Sequence, residues 1–411
     1  MALFPRAVVM RRVTTAFALW AVALGAACNG LLGNSEHAVA GDASTDAAGS
    51  ETSPGRDSGK DHGVPDGASD TSTGTDSGIH PEQSCRAVGP GRTNCGASSA
   101  GGGEGGEGGR SDGGFAGESC CTSLAVTGGK YDRSYDDVTF TDRGHPATVS
   151  PFDLDKYEIT VGRFRKFVTA VVGGWLPPQG SGKHSHLNGG AGLTSTAGGT
   201  EGGWDATDWD GNLSTSTMDW DDNLTCNGSF WTWTSSPGTN ENNPVNCETW
   251  YEAYAFCIWD GGFLPSEAEW NYAAAGGGGA SGQRVYPWSV PSTDQTIDCA
   301  HTNYLSPEGG ICVPSGTTDV GSESPVGDGF FHQVDMAGNV WEWTLDASNV
   351  KSPVTSYVSP CINCAFTSGP LRIFRGGSFV DDAPSLLTSF RRSDAPNLRA
   401  NFVGARCARA P

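Results

Sequence analysis

The sequence predicts one folded domain of mixed helix and strand, carried behind a long flexible tether. Three observations lead there. Residues 29–118 are built from Gly, Ser, Asp, Thr and Ala with almost no large apolar side chain, Gly101-Gly102-Gly103-Glu104-Gly105-Gly106 among them. Such a stretch cannot bury enough apolar surface to offset its chain entropy. Beyond it, three segments carry apolar residues at helical spacing, and one alternates in part as a strand does. The 411 residues could hold two domains by length alone, but the shift in composition argues for one.

Taken in order, residues 1–27 place Arg6, Arg11 and Arg12 ahead of an apolar run over residues 13–27. The run is too short and too rich in small residues for a stable membrane span, so it reads as an export signal. Leu24-Gly25-Ala26-Ala27-Cys28 is similar to the processing box of bacterial lipoproteins, its leucine one position early. Cys28 is then a lipidation site, with ordinary secretion as the alternative. The expected setting is an exported protein anchored through that lipid at the bacterial cell envelope, on the outer membrane. The chain divides into a signal over 1–28, a tether over 29–118 and a folded domain over 119–411. Cys85 and Cys95 interrupt the tether, where a small closed loop is a simpler expectation than a metal site.

Within the domain, residues 145–155 supply the strand. Tyr157-Glu158-Ile159-Thr160 opens a helix whose Val161, Phe164, Phe167, Val168 and Val171 form an apolar stripe toward the core. Residues 173–243 are rich in Gly, Asn, Asp and Trp. Their Trp204, Trp209, Trp220, Trp231 and Trp233 either fill a core or form a surface for sugar or peptide. Thr249 caps a second helix carrying Trp250, Ala253, Tyr254 and Cys257, and Gly261-Gly262 stops it. Ser266-Glu267-Ala268-Glu269 is a capping box, in which serine and glutamate satisfy each other's backbone N–H groups at the start of a third helix.

The chain has 25 Lys plus Arg against 46 Asp plus Glu, a net charge of −21. This argues against a nucleic-acid partner and against direct attraction to anionic lipid. Thirteen cysteines in an exported chain point to disulfides. Sequence-local pairs are Cys226 with Cys247, Cys299 with Cys312, and Cys361 with Cys364, while the adjacent Cys120 and Cys121 are expected to bond to different partners. No nucleophile elbow, phosphate-binding glycine loop or zinc pattern is present. His184-Ser185-His186 puts two imidazoles on one face of an extended segment, yet no third ligand is evident and a surface loop is the plainer reading. Asp381 and Asp382, adjacent on an extended chain, point to opposite sides, so at most one enters a pocket; a solvated loop is again the plainer reading.

Several phrases carry a family resemblance. They are Pro244-Val245-Asn246 through Trp259, Leu264-Pro265-Ser266-Glu267-Ala268-Glu269-Trp270, Tyr286-Pro287-Trp288, Gly338-Asn339-Val340-Trp341-Glu342-Trp343-Thr344, Arg375-Gly376-Gly377-Ser378-Phe379 and Gly404-Ala405-Arg406-Cys407-Ala408. In this order they resemble the sulfatase-modifying-factor domain, the family of the formylglycine-generating enzyme, over roughly residues 120–411. The resemblance implies a single irregular α+β domain, a variation on the C-type lectin theme with little regular secondary structure. It also implies a disulfide between Cys257 and Cys407, and a pocket at Ser378 and Trp341. Structural calcium is implied at Asp335, Gly338, Val340 and Glu342, the glycine and valine through their carbonyls, with Asn303 and Tyr304 beginning a second ion site. Oxygen donors on either side of a Gly-Asn turn suit a hard cation; otherwise Asp335 and Glu342 only cap turns.

In that family Cu(I) is held by two thiolates, as a soft ion demands, at positions that match Asp381 and Leu386. Residues 380–406 contain no cysteine, so copper is not expected. Nor is there a counterpart of the His-rich helical domain of the family's iron-binding relatives. The expected function is a binding module for a peptide, protein or glycan, or an enzyme of unassigned chemistry. The alternative is an oxidoreductase acting on a protein or peptide side chain, of formylglycine-generating or siderophore-maturation type.

Overall fold

The computed structural model describes residues 83–86, 118–195, 198–226, 228–279, 282–351 and 354–411, all within one compact unit, Gly74–Pro411. The expected signal, Cys28 and Cys95 lie outside the described residues. The architecture is α+β with short elements joined by long loops. In chain order they are α1 (Gln83–Arg86), β1 (Ser123–Val126), β2 (Gly129–Asp132), β3 (Pro146–Val149), β4 (Phe152–Asp155) and α2 (Val161–Val172). Then come α3 (Ala206–Trp209), α4 (Thr217–Leu224), α5 (Trp250–Trp259), α6 (Glu267–Ala274), β5 (Leu305–Ser306), β6 (Gly310–Ile311) and β7 (Trp341–Ser348). The chain closes with β8 (Cys361–Ile362), β9 (Leu371–Arg375), β10 (Arg392–Asp394), β11 (Val403–Gly404) and β12 (Ala408–Arg409).

The strands form small sheets ordered β1-β4-β12, β10-β9-β7-β11, β2-β3-β8 and β5-β6. β7 is the spine. It is buried along its whole length, runs antiparallel to β9 with Glu342 opposite Arg375, and parallel to β11 with Val403 opposite Trp341. Its residues alternate apolar and polar from Trp341 to Ser348, yet both faces are buried, and the polar Glu342, Thr344 and Asp346 make their hydrogen bonds inside the domain.

The caps expected at Thr249 and Ser266 form, and Thr160, expected within the helix opening, is itself a cap. Thr160 Oγ1 accepts the Arg163 N–H at 3.3 Å, and α2 begins one residue later. Reciprocal capping boxes join Thr249 to Glu252 and Ser266 to Glu269. The polar side of α2, by contrast, is not solvated. Arg163 donates to Asp155 at 3.0 Å and to Asp260 at 2.7 Å, and Arg409 from β12 donates to both carboxylates. Arg163, Asp155 and Asp260 are fully buried, so this is a charge-balanced square of two arginines and two aspartates. Burial alone would raise the Asp155 carboxyl, but Arg409 and Arg163 overcome it and hold it below its usual value.

α1 fastens to the same square although it falls in the expected tether. The Ser84 N–H donates to Asp260 at 2.6 Å, and Arg163 Nε donates to Ser84 Oγ at 3.1 Å. Cys85 is bonded to Cys121, so it does not close a loop with Cys95; a docked helix, not local closure, decides its partner. Cys120 is disulfide-bonded too, so the adjacent cysteines do have different partners. The other predicted pairs form: Cys226–Cys247, Cys299–Cys312, Cys361–Cys364 and Cys257–Cys407.

Large rings fill what the short elements leave open. Trp204 and Trp220 from the insertion are fully buried, as are Trp250, Trp259, Trp270, Trp341 and Trp343, and Trp233 is buried as well. Phe167 sits among Trp175, Trp220, Phe256 and Trp259 at centroid distances of 5.7 to 6.0 Å, where edge and tilted contacts add to area burial. The insertion therefore serves mainly as core, and Trp231 is its exception, 41% exposed.

Candidate functional site

The pocket expected at Ser378 is built where β9 ends. Gly376 and Gly377 adopt φ of 101° and 74°. A Cβ on Gly377 would stand 2.6 Å from the Leu386 side chain, so only glycine allows the turn that delivers Ser378. Ser378 Oγ donates to Asp381, and Trp341 Nε1, projecting from the rigid β7, donates to the same Asp381 Oδ2 at 2.7 Å. Arg392 Nη1 stands 3.6 Å from the other Asp381 oxygen, and its guanidinium lies 5.7 Å from the Trp341 ring centroid.

Asp381 is therefore a partly shielded carboxylate, 16% exposed at the side chain, and not the solvated residue that the sequence suggested. Asp382 is exposed and accepts from Ser385 Oγ at 3.0 Å. Leu386 is fully buried with Val285, Tyr286, Tyr304, Ala337 and Leu387. A carboxylate engaged by two donors and an aliphatic side chain in an apolar cluster do not fit Cu(I). All eleven described cysteines are in disulfides, so none of them supplies a thiolate.

The expected calcium residues gather beside this pocket. Glu342 accepts from Arg406 through both oxygens at 2.7 Å, and its Oε2 also accepts from Trp270 Nε1 at 2.7 Å. Asp335 Oδ2 accepts the Gly321 N–H at 2.5 Å. Gly338 has φ 81°, and a Cβ there would stand 2.6 Å from the Asn303 carbonyl. Asn303 Oδ1 is buried without a partner among the described residues. Tyr304 lies in the apolar cluster of Leu386, its carbonyl accepting from the Cys312 N–H at 3.0 Å.

Sequence reading missed Glu158, which accepts from Asn339 Nδ2 at 2.8 Å and from the Val340 N–H at 3.3 Å. The sequence around it reads as a helix start, which carries no hint of this role. Burial first, and then Asp335 and Glu342, raise it well above the usual carboxylate value despite Arg406. Burial lifts Asp335 to about 6, although Gly321 and Arg406 oppose the change. Negative charge here exceeds what Arg406 balances. An all-oxygen set with surplus negative charge and an orphaned amide oxygen fits a hard cation. Within it Glu342 is the least free, its charge already met by Arg406.

His184 is a correction. It is fully buried, its Nδ1 3.0 Å from Glu201 and its Nε2 2.9 Å from Glu269. Burial pushes the imidazole down, but Glu269 and Glu201 together lift it to about 10, so it is an imidazolium clamp between the insertion and α6. Those carboxylates lie 17 and 85 residues away in sequence, and no local pattern announces them.

The sulfatase-modifying factor enzyme 1-like domain matches residues 115–411. Among relatives, hercynine oxygenase of Mycobacterium tuberculosis is 30% identical over 167 residues, 41% of this chain and 37% of that protein. The formylglycine-generating enzyme of Thermomonospora curvata is 30% identical over 195 residues, 45% of this chain and 62% of that enzyme. The chain thus spans 37% and 62% of these relatives' own lengths. The solved structure of PvdO from Pseudomonas aeruginosa aligns with a TM-score of 0.45 at 19% identity, covering 70% of this chain and 94% of that one. With a fitted domain over residues 115–411 and the predicted phrases converging on one pocket, the chain belongs to the sulfatase-modifying factor enzyme 1-like family.

Proposed function

We propose that this protein is a cell-envelope lipoprotein, exported and anchored at the outer membrane through Cys28, whose domain binds a peptide or glycan without formylglycine-generating copper chemistry. The observation that carries the reading is Asp381. At the position matching a copper thiolate it is a carboxylate held by Ser378 and Trp341, and such a group offers hydrogen-bond acceptance and negative charge beside Arg392, not soft-metal ligation. Structural calcium, held by Asp335 with the carbonyls of Gly338 and Val340, and with Asn303 and Glu158 close by, would neutralise the surplus charge and stiffen the Gly338-Asn339 turn. That ion would take no part in a reaction.

The formylglycine-generating enzyme among the relatives supports a second reading, an oxidoreductase acting on a protein or peptide side chain. One experiment separates the two. The full chain is incubated with Cu(I), oxygen and a Cys-x-Pro-x-Arg peptide, and the peptide is read by mass spectrometry. Unchanged peptide is the expected result, and formylglycine in the product would overturn the reading.

A further inference from the structure

We infer that a groove between the end of the insertion and the loop following β6 is a binding site for a neutral saccharide. Its lining includes none of the residues Ser378, Asp381, Trp341 and Arg392, and a ligand there does not depend on how the Asp381 pocket functions.

The groove encloses about 460 Å³ and is lined by Phe230, Trp231, Asn240, Asn243, Ser315 and Thr317, among others. Its volume falls in the range of small-ligand sites. Of the tryptophans in the insertion, Trp204 and Trp220 are fully buried and Trp231 is 41% exposed, at the edge of this groove. No hydrogen-bond partner among the described residues takes its indole N–H, so ring face and donor are both free for a ligand.

The backbone that presents Trp231 is strained. Phe230 has φ 71°, a conformation that costs a bulky residue about 1–3 kcal/mol and persists only where the surroundings enforce it. Three contacts enforce it. The Phe230 carbonyl accepts from Asn246 Nδ2 at 2.9 Å, its ring meets Phe379 edge-on at 5.5 Å, and Gly316 packs so closely that a Cβ there would stand 2.8 Å from the ring. Phe230 and the buried Thr232 also line the groove, and Trp231 between them is the most exposed large side chain there.

The polar lining is held ready in the same way. Asn243 Nδ2 donates to Thr317 Oγ1 at 3.0 Å, Asn240 Nδ2 to the Thr232 carbonyl at 3.1 Å, and Thr318 Oγ1 contacts Asn339 Oδ1 at 3.4 Å. Each anchored group keeps further donors or acceptors, and Ser315 Oγ has no partner among the described residues. Asp319 is the one ionisable residue among the described lining residues, and its negative charge, on a chain of net charge −21, disfavours an acidic ligand. No strand among the described residues borders this groove, so a peptide would not be held there by strand addition. A sugar matches it, with the C–H face of one ring stacking on the indole and its hydroxyls meeting the amides and hydroxyls.

The test is an array of neutral and acidic oligosaccharides probed with the full chain and with Trp231→Ala and Asn243→Ala, followed by titration of the captured sugar. Trp231 is exposed, so its replacement should leave the melting temperature unchanged, and Trp231→Phe, which keeps a ring, should retain most of the affinity. The expected result is capture of neutral sugars, weakened at least about tenfold in Trp231→Ala. The proposal is overturned if no neutral sugar is captured, if only acidic glycans or peptides bind, or if both alanine variants bind like the parent.

Discussion

Two buried charged regions of the molecule are built on opposite terms. At the seam of α2, β4 and β12, Arg163 and Arg409 face Asp155 and Asp260, two positive charges for two negative ones, fully enclosed. Beside the Gly338-Asn339 turn, Glu158, Asp335 and Glu342 share a single arginine of the described residues, Arg406. A buried ion that is fully paired behaves as scaffold, because desolvation is offset on the spot. Surplus buried charge needs something further, a proton or a cation, so the second region is where an outside species belongs.

That contrast can be broken in measurable ways. The largest effect is expected at the seam. Arg163→Leu strands Asp155 and Asp260 on one remaining arginine and should cost about 3–5 kcal/mol, read as a lowered urea midpoint with unchanged slope. A loss below about 1 kcal/mol would mean that the square is not a stability element.

His184→Gln tests the clamp and should cost about 3 kcal/mol at neutral pH. Its sign in pH is specific. The folded value of about 10 exceeds the usual 6.5, so the contribution is complete below 6.5 and fades as pH rises through 10, by up to about 1.4 kcal/mol per unit in between. The parent should therefore lose more stability than the variant between pH 7 and 10, and parallel curves would rule the clamp out.

At the acidic region, exchanging EDTA for calcium should raise the melting temperature, by the equivalent of about 2.7 kcal/mol at a hundredfold excess over Kd, while Arg163→Leu keeps the same increment. No shift would remove calcium from the proposal. The smallest effect belongs to Asp381→Ala. The site is partly solvated, so the lost acceptor should cost only about 1 kcal/mol in urea unfolding; a loss matching that of Arg163→Leu would make Asp381 scaffold.

Part of this was legible in the chain. Helix starts were, because a cap is a contact between residues three apart, as at Thr249 and Ser266. So were the short-range disulfides and the glycines before Ser378. What escaped was anything made by residues far apart. Glu158 looked like a helix start, His184 like a loop residue and Cys85 like a tether residue, and each takes its role from groups that only folding brings near.

The sequence by itself determined the family, the α+β class, the caps and the absence of a cysteine pair after Ser378, since these rest on residue identity and local spacing. The tertiary structure alone decided which charges are balanced, that Asp381 enters the pocket while Asp382 does not, and that Trp231 faces out while Trp204 and Trp220 fill the core. The physical reason is that burial and charge compensation are sums over neighbours from distant parts of the chain, and identical residues differ only in which neighbours the fold supplies.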